Sequence, residues 1–172
     1  MNTLRALLIP LLLAWPLSSP ALSGDRDQPM NIEADRVELD DAAGVSTYQG
    51  NVRVTQGSMV LTGDRMTVHF RDGDITRVLV EGSPATYRQR PDGKDQDVVA
   101  QSERMEYRTR PRQVELVGKA RVNQAGDVLR SERIVYDVDK DQVNAGSEAP
   151  DARVHITIQP RTRKDKPAPD TP

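Results

Sequence analysis

Gly50-Asn51-Val52-Arg53-Val54-Thr55-Gln56 recurs without a gap, 68 residues further on, as Gly118-Lys119-Ala120-Arg121-Val122-Asn123-Gln124. In both copies apolar residues step by two (Val52/Val54, Ala120/Val122), the period of a half-buried strand. The same offset lays Val60-Leu61 over Val128-Leu129, and Glu38-Leu39 over Glu106-Tyr107. A self-match of this kind marks one supersecondary unit used repeatedly, with the copies completing a shared core. The ordered part is therefore read as one domain in two similar halves.

Working outward, a shorter phrase occurs four times: Ala34-Asp35-Arg36-Val37, Gly63-Asp64-Arg65-Met66, Ser102-Glu103-Arg104-Met105 and Ser131-Glu132-Arg133-Ile134. Each reads small residue, acid, arginine, apolar residue. By parity the apolar residue faces one side of a strand and the arginine the other, so Arg36, Arg65, Arg104 and Arg133 point outward. The small residue and the acid belong at the corner into the strand, where a carboxylate accepts backbone N–H groups. The phrase thus fixes turns and register, with its arginines on the solvent face and paired across strands. An outward arginine is badly placed to serve as a phosphate ligand for anything held inside.

Alternation continues through Val37/Leu39, Met66/Val68/Phe70, Met105/Tyr107 and Ile134/Tyr136/Val138, and no segment sustains a helical pattern. Gly50-Asn51, Asp72-Gly73, Pro91-Asp92-Gly93 and Ala125-Gly126-Asp127 read as turns. Short strands at this spacing predict an all-β sandwich, roll or open barrel.

The ends differ. Residues 1–21 carry Arg5, a leucine-rich run from Ala6 to Trp15, and the small pair Ser19 and Ala21 around Pro20. This is the pattern of an export signal, with cleavage after Ala21 or, as an alternative, after Ser23. The run is too short to span a bilayer, which takes about 20 residues. Residues 22–160 form the expected domain, with a polar lead-in from Gly24 to Pro29. Residues 161–172 are charged and proline-rich, a tail without apolar periodicity.

Composition excludes several chemistries. There is no cysteine, hence no disulfide, thiolate metal site or thiol nucleophile. Without Arg5, 23 basic residues face 26 acidic ones, a formal charge of −3 and not the concentrated basic surface of a nucleic-acid binder. His69 and His155 are the only histidines and lack ligand neighbours at metal spacing. His69 alternates with Val68 and Phe70 and reads as an exposed strand residue. No HExxH, GxSxG or phosphate-binding loop is present, so no catalytic or metal residue is assigned and no enzyme is expected. Aromatic residues are few: beyond Trp15 there are only Tyr48, Phe70, Tyr87, Tyr107 and Tyr136. A core so short of rings is either thin or leaves room for a guest.

Gly24-Asp25-Arg26-Asp27-Gln28-Pro29-Met30-Asn31-Ile32-Glu33-Ala34-Asp35, Tyr48 to Gly57 and Pro84-Ala85-Thr86-Tyr87 closely resemble the OstA-like family of periplasmic lipopolysaccharide-transport proteins. The resemblance extends over about residues 24–154. It implies an elongated, open antiparallel β-jellyroll of roughly sixteen strands in the periplasm, without catalysis or cofactor. It further implies head-to-tail self-association, docking of LptC at one end and of the LptD N-terminal domain at the other, and lipopolysaccharide (lipid A acyl chains) carried inside.

The alternating residues supply a lining for such a groove: Ile32, Val37, Leu39, Val54, Leu61, Met66, Val68, Phe70, Tyr87, Met105, Tyr107, Val122, Leu129, Ile134 and Tyr136. A lipid between the walls would supply the missing burial, at ~0.8 kcal/mol per methylene, and methionine adapts to flexible chains. The competing reading of each residue is ordinary core. The first strand, near Met30 to Leu39, and the last, near Gln142 to Ile158, are dissimilar sheet edges. Their union is heterologous and propagates. Two readings compete with a bridge: a monomeric periplasmic lipid carrier or chaperone, and a dry structural β-solenoid adaptor.

Overall fold

The computed structural model describes residues 24–25, 27–91, 93–146 and 152–160. The expected signal segment and tail lie outside these residues. Ten strands follow in order: β1 (Asn31–Glu33), β2 (Arg36–Asp40), β3 (Val45–Gln56), β4 (Met59–Arg71), β5 (Asp74–Gln89), β6 (Val98–Thr109), β7 (Arg112–Gln124), β8 (Asp127–Asp137), β9 (Gln142–Gly146) and β10 (His155–Thr157). All pairings are antiparallel within one sheet, and no helix occurs among the described residues. β3 to β8 form a continuous meander. β1 and β2 both pair with β3, while β9 and β10 both pair with β8. The sheet is elongated and open, since β1 and β2 do not meet β9 and β10.

Each ladder between the long strands is interrupted at one shared level, and the β4–β5 ladder has one further irregularity between His69 and Phe70, near its hairpin. Register shifts fall between Gln49 and Val52, Thr62 and Arg65, Glu81 and Ala85, Gln101 and Arg104, and Val117 and Ala120. This line of bulges creases the sheet into two arms. Arm A carries β2 and β9; arm B carries β1 and β10. Four short end strands and six creased strands with two arms apiece account for the sixteen segments the family resemblance implies.

Here one sequence expectation fails. Gly50-Asn51 is no hairpin turn, because it lies inside β3. Gly50 (φ 77°) and Asn51 (φ 47°) are both left-handed, as are Gly118 (φ 81°) and Lys119 (φ 50°) at the position 68 residues on. Two consecutive left-handed residues swing the chain through a corner while pairing resumes beyond it. The true hairpin turns include Asp72-Gly73 and Ala125-Gly126, again with paired positive φ as a tight two-residue turn requires. The first and last strands are likewise each broken in two, one piece on either side of the crease.

The acids of the fourfold phrase sit on this line. Asp35 Oδ2 accepts a hydrogen bond from Asn51 Nδ2 at 2.8 Å, and Lys119 Nζ donates to Glu103 Oε1 at 2.6 Å. A Cβ on Gly50 would run into Asp35, and one on Gly118 would come within 2.6 Å of Glu103 Oε2. The corner therefore needs both glycine's freedom and its lack of a side chain.

The crease brings the apolar faces of both arms onto one core. Val52, Val54, Ala85, Ala100 and Ala120 from arm B are buried in a single cluster with Met66, Val68, Val80, Met105, Leu116 and Ile134 from arm A. Among the described residues only ladder-neighbour strands bring Cα atoms within 8 Å of one another. The two inner faces are packed like a sandwich made from one sheet.

Candidate functional site

The ladders arrange the inner face into rows. On arm A, Val37, Tyr48, Met66, Val80, Met105, Leu116, Ile134 and Ala145 stand directly opposite one another from β2 to β9. The next row reads Leu39, Ser46, Val68, Val78, Tyr107, Val114, Tyr136 and Val143. On arm B, Ile32, Val54, Leu61, Tyr87, Ala100, Val122, Leu129 and Ile156 run from β1 to β10. Fourteen of the fifteen lining candidates from the sequence fall in these three rows; Phe70 lies beyond them at the β4–β5 hairpin, paired with Ile75.

The rows differ in depth along their length. Val54, Met66, Val68, Met105 and Ile134 are buried, while Leu61, Tyr87, Val122, Leu129 and Tyr136 are half-buried. Exposure rises toward the edges: Leu39 is 64% exposed on β2, Ile156 65% on β10, and Ile158 beyond it 72%. Ile32, Val37 and Val143 are also exposed at the two edges, and Phe70 and Tyr107 are exposed within the sheet. Sequence parity assigned the face correctly. It missed Tyr48, Val78, Val80, Ala85, Ala100, Val114, Leu116 and Ala145, which belong to or pack against the same core, and read Val52 and Ala120 as apolar strand positions without placing them in the lining. Their signal was the same alternation, weakened where small residues or the crease interrupt it.

The lead-in guards one rim. Asp25 accepts hydrogen bonds from Ser58 N at 2.7 Å, Ser58 Oγ at 2.6 Å and Gln89 Nε2 at 2.9 Å. These bonds from the Ser58 hydroxyl, the Ser58 N–H and the Gln89 amide hold its carboxyl below the usual range. Gln89 Oε1 in turn accepts from Tyr87 Oη. Burial, followed by the charge of Asp25, pushes the Tyr87 phenol up to about 12.

The outer face of arm A carries charge. Arg36, Arg65, Arg104 and Arg133 stand in one cross-strand row on alternate strands, facing away from the apolar rows as parity predicts. One correction is needed, since this face is not uniformly solvated. Glu106 is only 2% exposed, and Val135, opposite the neighbouring Glu115, is also buried. Arg77 and Arg104 donate to Glu106 Oε2 at 2.8 and 2.5 Å, and Arg108 Nε lies 2.7 Å from Oε1 as an ion pair outside hydrogen-bond angles. Burial pushes the Glu106 carboxyl up, but the Arg77 hydrogen bond and the charges of Arg77, Arg108 and Arg104 outweigh it and hold the carboxyl low. Arg133 pairs with Glu115 at 2.6 Å, extending the network across strands.

Among the described residues no group of three or more His, Cys, Asp or Glu could hold a metal. The chemistry on offer is apolar burial along a creased sheet with open edges. The family description "LptA/(LptD N-terminal domain) LPS transport protein" matches residues 31–142, the span from β1 to the start of β9. The chain belongs to this family. As a member it is a periplasmic protein of lipopolysaccharide transport. It is 40% identical to the lipopolysaccharide export system protein LptH of Pseudomonas aeruginosa over 83% of this chain and 86% of that protein. It is 31% identical to LptA of Escherichia coli K12 over 95% and 89%. The crystal structure of LptH, the LptA homologous periplasmic component of the lipopolysaccharide transport device of P. aeruginosa, superposes with a TM-score of 0.69 at 38% identity. It covers 80% of this chain and 99% of that one.

Proposed function

We propose that this member of the LptA/LptD N-terminal family carries the acyl chains of lipopolysaccharide along its inner face, as one unit of a head-to-tail bridge from inner to outer membrane. The observation that carries the reading is that three largely apolar rows cross the whole sheet and five of their six ends, Ile32, Val37 and Leu39 at one edge and Val143 and Ile156 at the other, are exposed aliphatic residues. Among the described residues no further strand pairs with these edges. A second copy added edge to edge would extend every row and satisfy the free N–H and C=O groups of the edge strands. The same geometry would dock LptC at one end and the LptD N-terminal domain at the other, continuing one sheet and one groove.

A photo-crosslinking residue distinguishes the faces. Placed at Tyr107 or Ile32 during transport, it captures lipopolysaccharide; placed at Arg104, it does not. Equal capture at the three positions would sink the inner-face assignment.

A further inference from the structure

The outer face of arm B holds a charge pattern that lipid carriage along the inner face does not use. Its row next to the crease reads Glu33, Arg53, Thr62, Thr86, Gln101, Arg121, Arg130 and His155, each directly opposite the next. The 68-residue repeat provides an internal control. In the first half Arg53 stands between Glu33 and Thr62; at the equivalent places in the second half Arg121 stands between Gln101 and Arg130. An acid is replaced by an amide and a hydroxyl by a second guanidinium, with His155 next in line.

Directly opposite side chains have Cβ atoms about 4.5–5.5 Å apart, and like charges there destabilise a sheet. Elsewhere this protein neutralises its crowded arginines: Arg77, Arg104, Arg108 and Arg133 all reach Glu106 or Glu115. By contrast Arg121, Arg130, Arg153 and His155 have no ion pair or side-chain hydrogen bond among the described residues. They surround a shallow depression of about 310 Å³, whose rim adds Lys119 and one acid, Glu132. Lys119 is already held by Glu103 at 2.6 Å, and Glu132 Oε2 lies 3.5 Å from the Lys119 N–H. The depression therefore holds three guanidinium groups without an ion pair against the single carboxylate of Glu132, a net positive site whose planar forks suit bidentate capture of an oxyanion.

We propose that this depression binds a phosphate-class oxyanion, supplied either as free phosphate or as the phosphorylated sugar of a glycolipid head group. It lies on the opposite face from the apolar rows, so it stands or falls independently of lipid passage along the inside. A bound anion would neutralise Arg121 and Arg130 and join β7, β8 and β10 at the C-terminal edge.

The test is titration of the exported protein with sodium phosphate at constant ionic strength, balanced by chloride and followed by amide NMR shifts and thermal unfolding. Saturable shifts are expected at residues 119–121, 130–132 and 153–155, together with a rise in Tm. Arg130→Thr, which restores the first-half residue, should raise Tm in phosphate-free buffer and abolish the phosphate-dependent rise. Arg121→Gln should weaken binding about tenfold or more, as loss of hydrogen bonds to a charged group does, and Arg53→Gln should leave it unchanged. A parallel titration with glucosamine 1-phosphate separates the sources: tighter binding than phosphate points to a head group, equal binding to phosphate alone. Linear shifts spread over exposed arginines such as Arg36 and Arg88 would overturn the site, as would phosphate binding undiminished in Arg130→Thr.

Discussion

Single residues set the corners and the charge balance of this protein. Gly118 is left-handed at φ 81° and faces Glu103, so a methyl group there adds backbone strain to a clash. Gly118→Ala is expected to lower unfolding stability by about 2 kcal/mol in denaturant titrations, from the left-handed penalty plus displacement of the Lys119–Glu103 pair. Glu106 acts in the opposite sense, as the anion that lets three arginines share a small area. Glu106→Gln should destabilise by about 2 kcal/mol, below the ~3–5 kcal/mol of a fully buried broken pair because its arginines are partly exposed. Its folded pKa is depressed, so this stability is present above the unfolded carboxylate value and is lost as pH falls through the lower folded value. The wild-type and Glu106→Gln stabilities should accordingly converge on acidification, which pH-dependent unfolding would show. The burial of Glu106 was not legible in the sequence. Parity put it correctly on the outer face, but its cover comes from Arg77, 29 residues away on another strand.

At the scale of elements, the edge strands carry the exposed apolar ends of the rows. Ile156 lies on β10 opposite Leu129, and its strand has no partner on the far side among the described residues. A lysine on an edge strand opposes further pairing. Ile156→Lys should therefore abolish the growth of mass with concentration in sedimentation or light scattering, while changing monomer stability by less than about 0.5 kcal/mol as an exposed substitution does. Ile75→Lys, exposed at a hairpin and not on an edge strand, should leave mass growth intact. Strand existence was well encoded, because alternation in Met105/Tyr107 or Ile134/Tyr136 reports the buried face directly. Strand continuity was not. A Gly-Asn pair signals a reversal when chain ends flank it, but the same two left-handed residues become a corner when neighbouring strands bulge at the same level. That alignment is a property of six strands together, so no single stretch displays it.

For the whole molecule, the small core and the long apolar face are two aspects of one arrangement. Buried side chains of the cluster contribute about 1.5–3 kcal/mol each for the larger ones, yet alanine fills several central places and few rings are available. A lipid that binds the folded form should therefore raise its stability. Lipopolysaccharide at ~100 times its dissociation constant is expected to add about 2.7 kcal/mol. Unfolding measured with and without it would register this, and no change in stability at saturation would argue for a dry core. The two-half design was open to view in the 68-residue repeat. The differences between the halves were equally visible as letters, but Gln101, Arg121 and Arg130 acquired meaning only when the ladders set them side by side.

The crease has a mechanical consequence. Bulges interrupt the pairing along one line, whereas the ladders on both sides of it run on with a single further irregularity, between His69 and Phe70. Such a line is the compliant direction of an otherwise stiff sheet. Bending along these five aligned register shifts would change the opening angle of the arms while the rows keep their register. For the acyl-chain carriage proposed above, width would become adjustable while length stays fixed, so that cargo of varying girth could pass as tension is transmitted along the axis.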